Sequence, residues 1–195
     1  HAEGAGMKHS LCLASGSSRR FRVNKLLYEL DGKPLYQHGL DMLTALVAGR
    51  DDCTLTVVSR YAAVREGAKA LGVRAVDSPD SAQGLSYTIR AGLDAVRVMP
   101  RDFVVFVAAD QPYLTAETVT RLLDAAAPGV RMARACFGER RGNPCLFAAA
   151  LVPDLRALQG DEGGRELLCG ADCVCVQAAQ ERELCDVDTA QDLQA

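Results

Sequence analysis

Apolar and polar positions along this chain fall into short blocks whose period switches repeatedly between two and 3.6. Ser10 to Ala14 is a short apolar run that enters the small-residue stretch Ser15-Gly16-Ser17-Ser18, which predicts a buried strand followed by a tight loop. Leu35 to Leu46 carries apolar residues near helical spacing, with Pro34 at a plausible first-turn position. Thr54 to Val58 is short and β-branched, hence a strand, and Ala62 to Leu71 has a helical pattern. Val73 to Val76 predicts a brief strand, and Leu85, Ile89, Leu93 and Val96 form one stripe of a helix spanning Leu85 to Val98. Phe103 to Ala108 is apolar on both faces, the pattern of a strand buried between two layers. Thr115 can cap a helix from Ala116 to Ala126, with Glu117 near its start. The rhythm then loosens. Met132 to Phe137 and Pro144 to Phe147 predict strands, helices are expected from about Ala149 and Gly164, Cys173 to Val176 reads as a last strand, and Thr189 would cap a terminal helix.

Strand and helix in alternation over roughly the first 125 residues predict an α/β fold with a mostly parallel sheet and right-handed crossovers. The less regular remainder is expected to add a hairpin and an antiparallel or edge strand. With 195 residues and no linker, repeat or low-complexity tract, the expectation is a single domain over 7–195. The six residues before Met7 are set aside as a cloning remnant.

Composition narrows the function class. Hydrophobic residues at 49% and charged residues at 24% support a packed core. A net charge of −3 argues against a general nucleic-acid binder, which usually presents a basic face. No apolar run approaches the roughly 20 residues needed to span a bilayer, so no membrane role and a cytoplasmic location are expected. The eight cysteines include no C-x-x-C pair, and Cys169, Cys173 and Cys175 fit no common zinc spacing. They read as reduced structural thiols that behave as small hydrophobes.

In an open α/β sheet, ligands bind beyond the carboxyl ends of the strands. The first such end carries Leu13-Ala14-Ser15-Gly16-Ser17-Ser18-Arg19-Arg20-Phe21, followed by Asn24-Lys25-Leu26-Leu27. A small-residue loop lets backbone N–H groups approach an anion, and Arg20 and Lys25 supply charge for a polyphosphate. The string is neither G-x-G-x-x-G nor a G-x-x-x-x-G-K-[ST] P-loop, so dinucleotide dehydrogenases and P-loop NTPases lose support; an ordinary βα turn with solvated basic residues stays open. The second end is Ala108-Ala109-Asp110-Gln111-Pro112, where Asp110 could hold Mg²⁺ or merely cap a turn. In Asp186-Val187-Asp188-Thr189, alternation puts both carboxylates on one side of an extended chain, and Asp188 is either a helix cap or a second metal ligand.

Together these strings resemble the MobA-like nucleotidyltransferases, and within them the molybdenum cofactor cytidylyltransferases. The resemblance extends from the opening loop through Gly32-Lys33-Pro34-Leu35 to Gln83-Gly84-Leu85-Ser86 with Ile89-Arg90-Ala91-Gly92-Leu93. It continues through Ala109-Asp110-Gln111-Pro112, then Arg141-Gly142-Asn143-Pro144 with Phe147, Gly160-Asp161-Glu162-Gly163-Gly164-Arg165, and the Asp186–Thr189 ending. It implies a Rossmann-like three-layer sandwich that moves CMP from CTP onto the terminal phosphate of molybdopterin, with Mg²⁺ and release of pyrophosphate. A recipient molybdoenzyme or its chaperone would be a further partner.

Carried onto this chain, the resemblance has Leu13, Ala14, Ser15, Gly16, Ser17 and Ser18 wrap the nucleotide while Arg20 and Lys25 hold its triphosphate. Gly84 and Ser86 would approach base and ribose, and Asp110 and Asp188 would hold the metal. Gln111, Asn143, Asp161 and Arg165 would face the pterin, and Arg20, Lys25 and Asp110 would carry catalysis. Two positions depart from the pattern: Ser15 stands where Ala is usual, and Arg22 where a Gly follows the Arg-Phe pair. A guanylyltransferase, a sugar- or polyol-phosphate nucleotidyltransferase and a non-catalytic carrier of the cofactor are the rival expectations. Only His9 and His38 remain after the leader, and neither lies in a catalytic-looking motif; His38 reads as structural.

Overall fold

The computed structural model describes residues 4–16, 24–168 and 172–187. The strands are β1 (Lys8–Leu13), β2 (Glu29–Leu30), β3 (Lys33–Pro34), β4 (Cys53–Val58), β5 (Arg74–Val76), β6 (Phe103–Ala108), β7 (Met132–Phe137), β8 (Arg140–Ala148) and β9 (Cys173–Gln177). The helices are α1 (Leu35–Ala48), α2 (Ala62–Ala70), α3 (Leu85–Asp94), α4 (Ala116–Asp124) and the short α5 (Val152–Arg156). Among the described residues, seven strands form one sheet in the order β5-β4-β1-β6-β8-β7-β9, and only β8 runs against its neighbours. β2 and β3 make a separate antiparallel pair.

Alternation along the strands fills two apolar layers. Cys12, Val57, Val105 and Val107 face α1, α2 and α4, where Leu40, Leu43, Val64 and Leu122 are buried. Leu11, Val58, Val104, Phe106 and Phe147 face α3 and α5, meeting Ile89, Leu93 and Leu155. The result is the three-layer, Rossmann-like α/β sandwich, mostly parallel with an antiparallel addition. Chain connections run outward from β1 to β4 and β5, then return to β6 on its other side. That reversal opens a crevice at the carboxyl ends of β1 and β6.

Several boundaries differ from the sequence expectation. The helix expected from Gly164 is a single 3-10 turn over Gly164–Glu166, because Gly160, Gly163 and Gly164 remove helix-favouring side chains from its start. The helix expected from Ala149 begins as a 3-10 turn and has only five α-helical residues. α3 ends at Asp94 rather than Val98, closing with Ala95 N–H to Gly92 and Val96 N–H to Leu93. β8 begins at Arg140, four residues ahead of Pro144, and passes through a cis Asn143–Pro144 bond. The β2–β3 hairpin was not anticipated. Its Asp31-Gly32 turn has both φ angles positive, +50° and +84°, as a two-residue hairpin of this hand requires. Thr189 lies outside the described residues.

Candidate active site

The loop leaving β1 is tied down by the ends of two neighbouring strands. Ala14 N–H donates to the Val58 carbonyl at 2.8 Å, and Ser59 Oγ donates to the Ala14 carbonyl at 2.5 Å. Ser15 Oγ accepts from Arg60 N–H at 2.9 Å and lies 2.5 Å from Ser78 Oγ. Tyr61 OH donates to the Gly16 carbonyl at 2.8 Å, with the Arg60 guanidinium 4.7 Å from the Tyr61 ring centroid. The first turn of the loop is therefore held from β4 and the residues after β4 and β5, chiefly through bonds between side chains and backbone atoms. Ser17, Ser18, Arg20 and Arg22 lie outside the described residues.

The chain re-enters at Asn24, whose side chain accepts from Leu26 N–H at 3.0 Å and starts a 3-10 turn over Lys25–Leu27. That turn aims Lys25 inward. Its Nζ lies 2.9 Å from Asp110 Oδ2 and donates to the Val187 carbonyl at 2.7 Å. Both side chains are largely buried, Lys25 at 11% and Asp110 at 19% exposure. Val187 N–H in turn donates to the Asp110 carbonyl at 3.0 Å, and its side chain packs with Leu30, Leu35, Tyr28 and Tyr113. Three distant pieces of sequence thus meet at one point. Asp188 follows Val187 directly but lies outside the described residues. His38 is structural, donating from Nε2 to the Leu30 carbonyl at 2.6 Å.

Above this point opens a cavity of about 760 Å³. Its walls include Leu13, Ala14, Ser15, Gly16, Lys25, Gly84, Asp110, Asn143, Asp161 and Arg165, ten of the residues singled out from sequence. Two others are directed elsewhere. Ser86 is fully buried and donates from Oγ to the Gly160 carbonyl at 2.6 Å. Gln111 is also buried and donates from Nε2 to the carbonyls of Asn143 and Glu183, both at 3.1 Å. Gln111 therefore supports the Asn143 segment from behind. Sequence reading overlooked Ser81, Ala82 and Thr88, which line the cavity beside Gly84. Their place after the short strand β5 was the available signal. Ser81 Oγ is buried at this wall without a hydrogen-bond partner within the described protein.

Burial pushes the Cys12 thiol, beneath Asp110, up to about 12, and the Asp110 charge adds to the effect. Burial likewise raises Cys145, on the cavity wall, to about 12. Neither thiol supplies a thiolate near neutral pH. Seven described cysteines are free: Cys12, Cys53, Cys136 and Cys145 are buried, whereas Cys175 is exposed and so is not core filling. Among the described residues no three His, Cys, Asp or Glu side chains converge to hold a metal. The donor set suits a hard divalent cation held by one or two carboxylates and completed by substrate phosphate oxygens. It does not suit zinc or another ion needing a full protein cage.

A MobA-like NTP transferase domain matches residues 10–180. The chain belongs to this family. It is 30% identical to the purine catabolism protein PucB of Bacillus subtilis, over 92% of this chain and 91% of that one. It is 29% identical to nicotine blue oxidoreductase of Paenarthrobacter nicotinovorans, over 80% of this chain and 78% of the relative. Among solved structures, Rv0371c of Mycobacterium tuberculosis is 25% identical with a TM-score of 0.75, each chain covered to 97%. A second Rv0371c structure is a complex with manganese, at 24% identity, TM-score 0.71 and 96% coverage of both chains. A nucleotidyl transferase from Methanothermobacter thermautotroptrophicus shares the fold at TM-score 0.80, with 24% identity and coverage of 96% and 94%. No described helix is long and apolar enough to cross a membrane.

Proposed function

We propose that this NTP transferase moves CMP from CTP to the terminal phosphate of molybdopterin and releases pyrophosphate. The observation that carries the reading is the meeting of Lys25 and Asp110 at 2.9 Å on the wall of one large cavity. A cation and a carboxylate so placed serve a reaction between anions. The acceptor phosphate oxygen forms a bond to the α-phosphorus while the bond from that phosphorus to the bridging oxygen breaks, and the electron pair leaves with pyrophosphate. Such a transfer needs positioning and charge neutralisation more than a protein nucleophile. The acceptor is already an anion, so no general base is required.

In this reading Lys25 and Arg20 hold the triphosphate, and the backbone from Ala14 to Ser18 wraps it. Asp110, with Asp188, would hold Mg²⁺, which when bound neutralises charge on the phosphates and leaving group. The manganese bound by the related Rv0371c supports a divalent ion of this kind. Gly84 faces the nucleotide base side, while Asn143, Asp161 and Arg165 face the acceptor. The choice of CTP rests on the likeness of the Gln83–Ser86 string to cytidylyltransferases.

Pyrophosphate release measured with each NTP, Mg²⁺ and molybdopterin tests the assignment. CTP-dependent release is expected. A strong preference for GTP would overturn the base, and release only with a sugar or polyol phosphate would overturn the acceptor. A second reading comes from the relative named nicotine blue oxidoreductase. Two-electron reduction of nicotine blue by the purified protein with an added hydride donor, and no NTP turnover, would favour it.

A further inference from the structure

Arg90 belongs to the string Ile89-Arg90-Ala91-Gly92-Leu93, yet it does not line the cavity. Its guanidinium instead crosses from α3 to the end of α5. Nη1 donates to the Leu158 carbonyl at 2.5 Å and reaches the Arg156 carbonyl at 3.4 Å. The Arg156 carbonyl is one that a helix end leaves without an intrahelical partner, and the Leu158 carbonyl lies just past that end. Nη2 lies 3.5 Å from Ser86 Oγ, and the guanidinium carbon sits 4.7 Å from the Tyr87 ring centroid, which fixes its plane.

One turn earlier, Ser86 donates twice to a single acceptor. Its backbone N–H and its Oγ reach the Gly160 carbonyl at 3.0 and 2.6 Å. At the head of the helix, Gly84 lies so near Gly160 that a Cβ built there would come within 2.3 Å of the Gly160 carbonyl carbon. The segment from Arg156 to Gly160 is thus held at three carbonyls by two side chains of α3. Beyond Gly160 the chain turns into the cavity wall, where Asp161, Gly163, Gly164 and Arg165 lie opposite β1 and its loop. No other side chain holds the Leu158 or Gly160 carbonyl among the hydrogen bonds of the described residues.

We propose that Arg90 and Ser86 are positioning residues that lock the Asp161–Arg165 wall to the nucleotide-side helix. The inference rests on the reading of that wall as the acceptor side. Loss of the lock shifts the acceptor relative to the α-phosphate while the nucleotide keeps its own contacts on β1, Lys25 and Asp110. A displacement of about 1 Å at such a distance from the chemistry is enough to weaken the seating of the acceptor, and so to raise its KM as well as slow its transfer. The task suits arginine: Nη1 serves the carbonyls past α5 while Nη2 faces Ser86 Oγ and the guanidinium plane lies over Tyr87, three directions that a single ammonium on a flexible stem does not hold at once.

The test compares wild type, Arg90→Lys, Arg90→Met and Ser86→Ala as full chains, with melting temperature confirming that each is folded. In Arg90→Met the KM for molybdopterin is expected to rise about tenfold while that for CTP stays within about twofold. Arg90→Lys, which can still serve one carbonyl, falls between it and wild type. Equal rises in both KM values, or no change in either, would overturn the proposal. If wild type transfers no nucleotide to molybdopterin, the acceptor reading fails, and the lock is then judged by amide hydrogen exchange. Exchange at least tenfold faster over residues 158–168 in Arg90→Met, with β1 and β6 unchanged, supports it; equal exchange overturns it.

Discussion

Lys25 and Asp110, 85 residues apart, meet at 2.9 Å, and the backbone beside Asp186 and Asp188 docks on both through Val187. A salt bridge this buried costs desolvation on both partners, and its worth to stability alone is modest. Its placement on the wall of a cavity sized for a nucleotide gives the pair its use. In the proposed reaction the ammonium and carboxylate would hold each other in place until phosphates and a metal compete for them.

Asp110→Ala is therefore expected to lower pyrophosphate release by about a thousandfold or more, since it removes both the proposed metal ligand and the partner of Lys25. The chain should stay folded, because Asp110 is near the surface of the cavity and its backbone contacts persist. Lys25→Met should lower turnover by about a hundredfold, raising the KM for the nucleotide as well. Steady-state kinetics beside circular dichroism checks both. Unchanged release in Asp110→Ala would remove that residue from the metal site.

The residues at the strand ends were legible from sequence because the rule that places ligands there needs only the strands themselves. β6 is an unbroken apolar run and β1 ends in a shorter one over Leu11–Ala14, so Ala14, Gly16 and Asp110 followed. Ser86 and Gln111 also lie in these strings, but their side chains are directed away from the cavity. Sequence marks them as polar residues beside a site but cannot say that the Gly160 carbonyl, 74 residues on, claims the serine hydroxyl. Nor can it say that Asn143 and Glu183 claim the Gln111 amide. A helix was expected from about Gly164, where Gly163 and Gly164 allow only a 3-10 turn, and no local signal reveals that the preceding Gly160 carbonyl is held from α3. The Asp31-Gly32 turn carried a recognisable hairpin signal, but its strands are two residues long and too short to show alternation.

Ser15 is one departure from the family pattern, and the structure gives the hydroxyl two partners that an alanine could not serve. Ser15→Ala would leave Arg60 N–H and Ser78 Oγ without this partner in a buried setting. The expected loss is about 1–3 kcal/mol in urea unfolding, with a weaker nucleotide affinity as the loop loosens. Ser78→Ala alone should cost less, because Ser15 Oγ keeps its bond from Arg60. Equal stability of Ser15→Ala and wild type would show that these hydrogen bonds do not contribute to the fold.

At the far end of the sheet, His9 Nε2 lies 2.9 Å from Asp102 Oδ2, and Asp102 also accepts from the N–H groups of Met7 and Met99 at 2.9 Å. Burial alone would raise the Asp102 carboxyl, but the Met99 N–H, the His9 ring and the Met7 N–H outweigh it, so it lies below its ordinary value of 3.8. A lowered folded-state value means that this stabilisation is fully present above the unfolded value. It is lost as pH falls below about 4 and through the folded value. Asp102→Asn should cost about 1–3 kcal/mol at pH 7 and flatten that acid limb. Urea titrations from pH 2.5 to 7 give the slope for each protein; parallel slopes would show that Asp102 does not contribute to it.

Gly84 and Gly160 touch, and alanine at each tests a different constraint. At Gly84 the backbone has φ +141°, and an added Cβ would lie 2.3 Å from the Gly160 carbonyl carbon and oxygen and 2.8 Å from Asp161 N. Backbone cannot step aside as a flexible side chain can. Gly84→Ala therefore adds overpacking to conformational strain, with an expected loss of about 3 kcal/mol or more. At Gly160 φ is +55°, and a Cβ meets nothing within 4 Å, so only the left-handed backbone penalty remains. Gly160→Ala should lose about 1 kcal/mol. Chemical denaturation of the two variants separates them, and a Gly84→Ala protein as stable as Gly160→Ala would mean that the two segments do not pack as closely as the 2.3 Å approach requires.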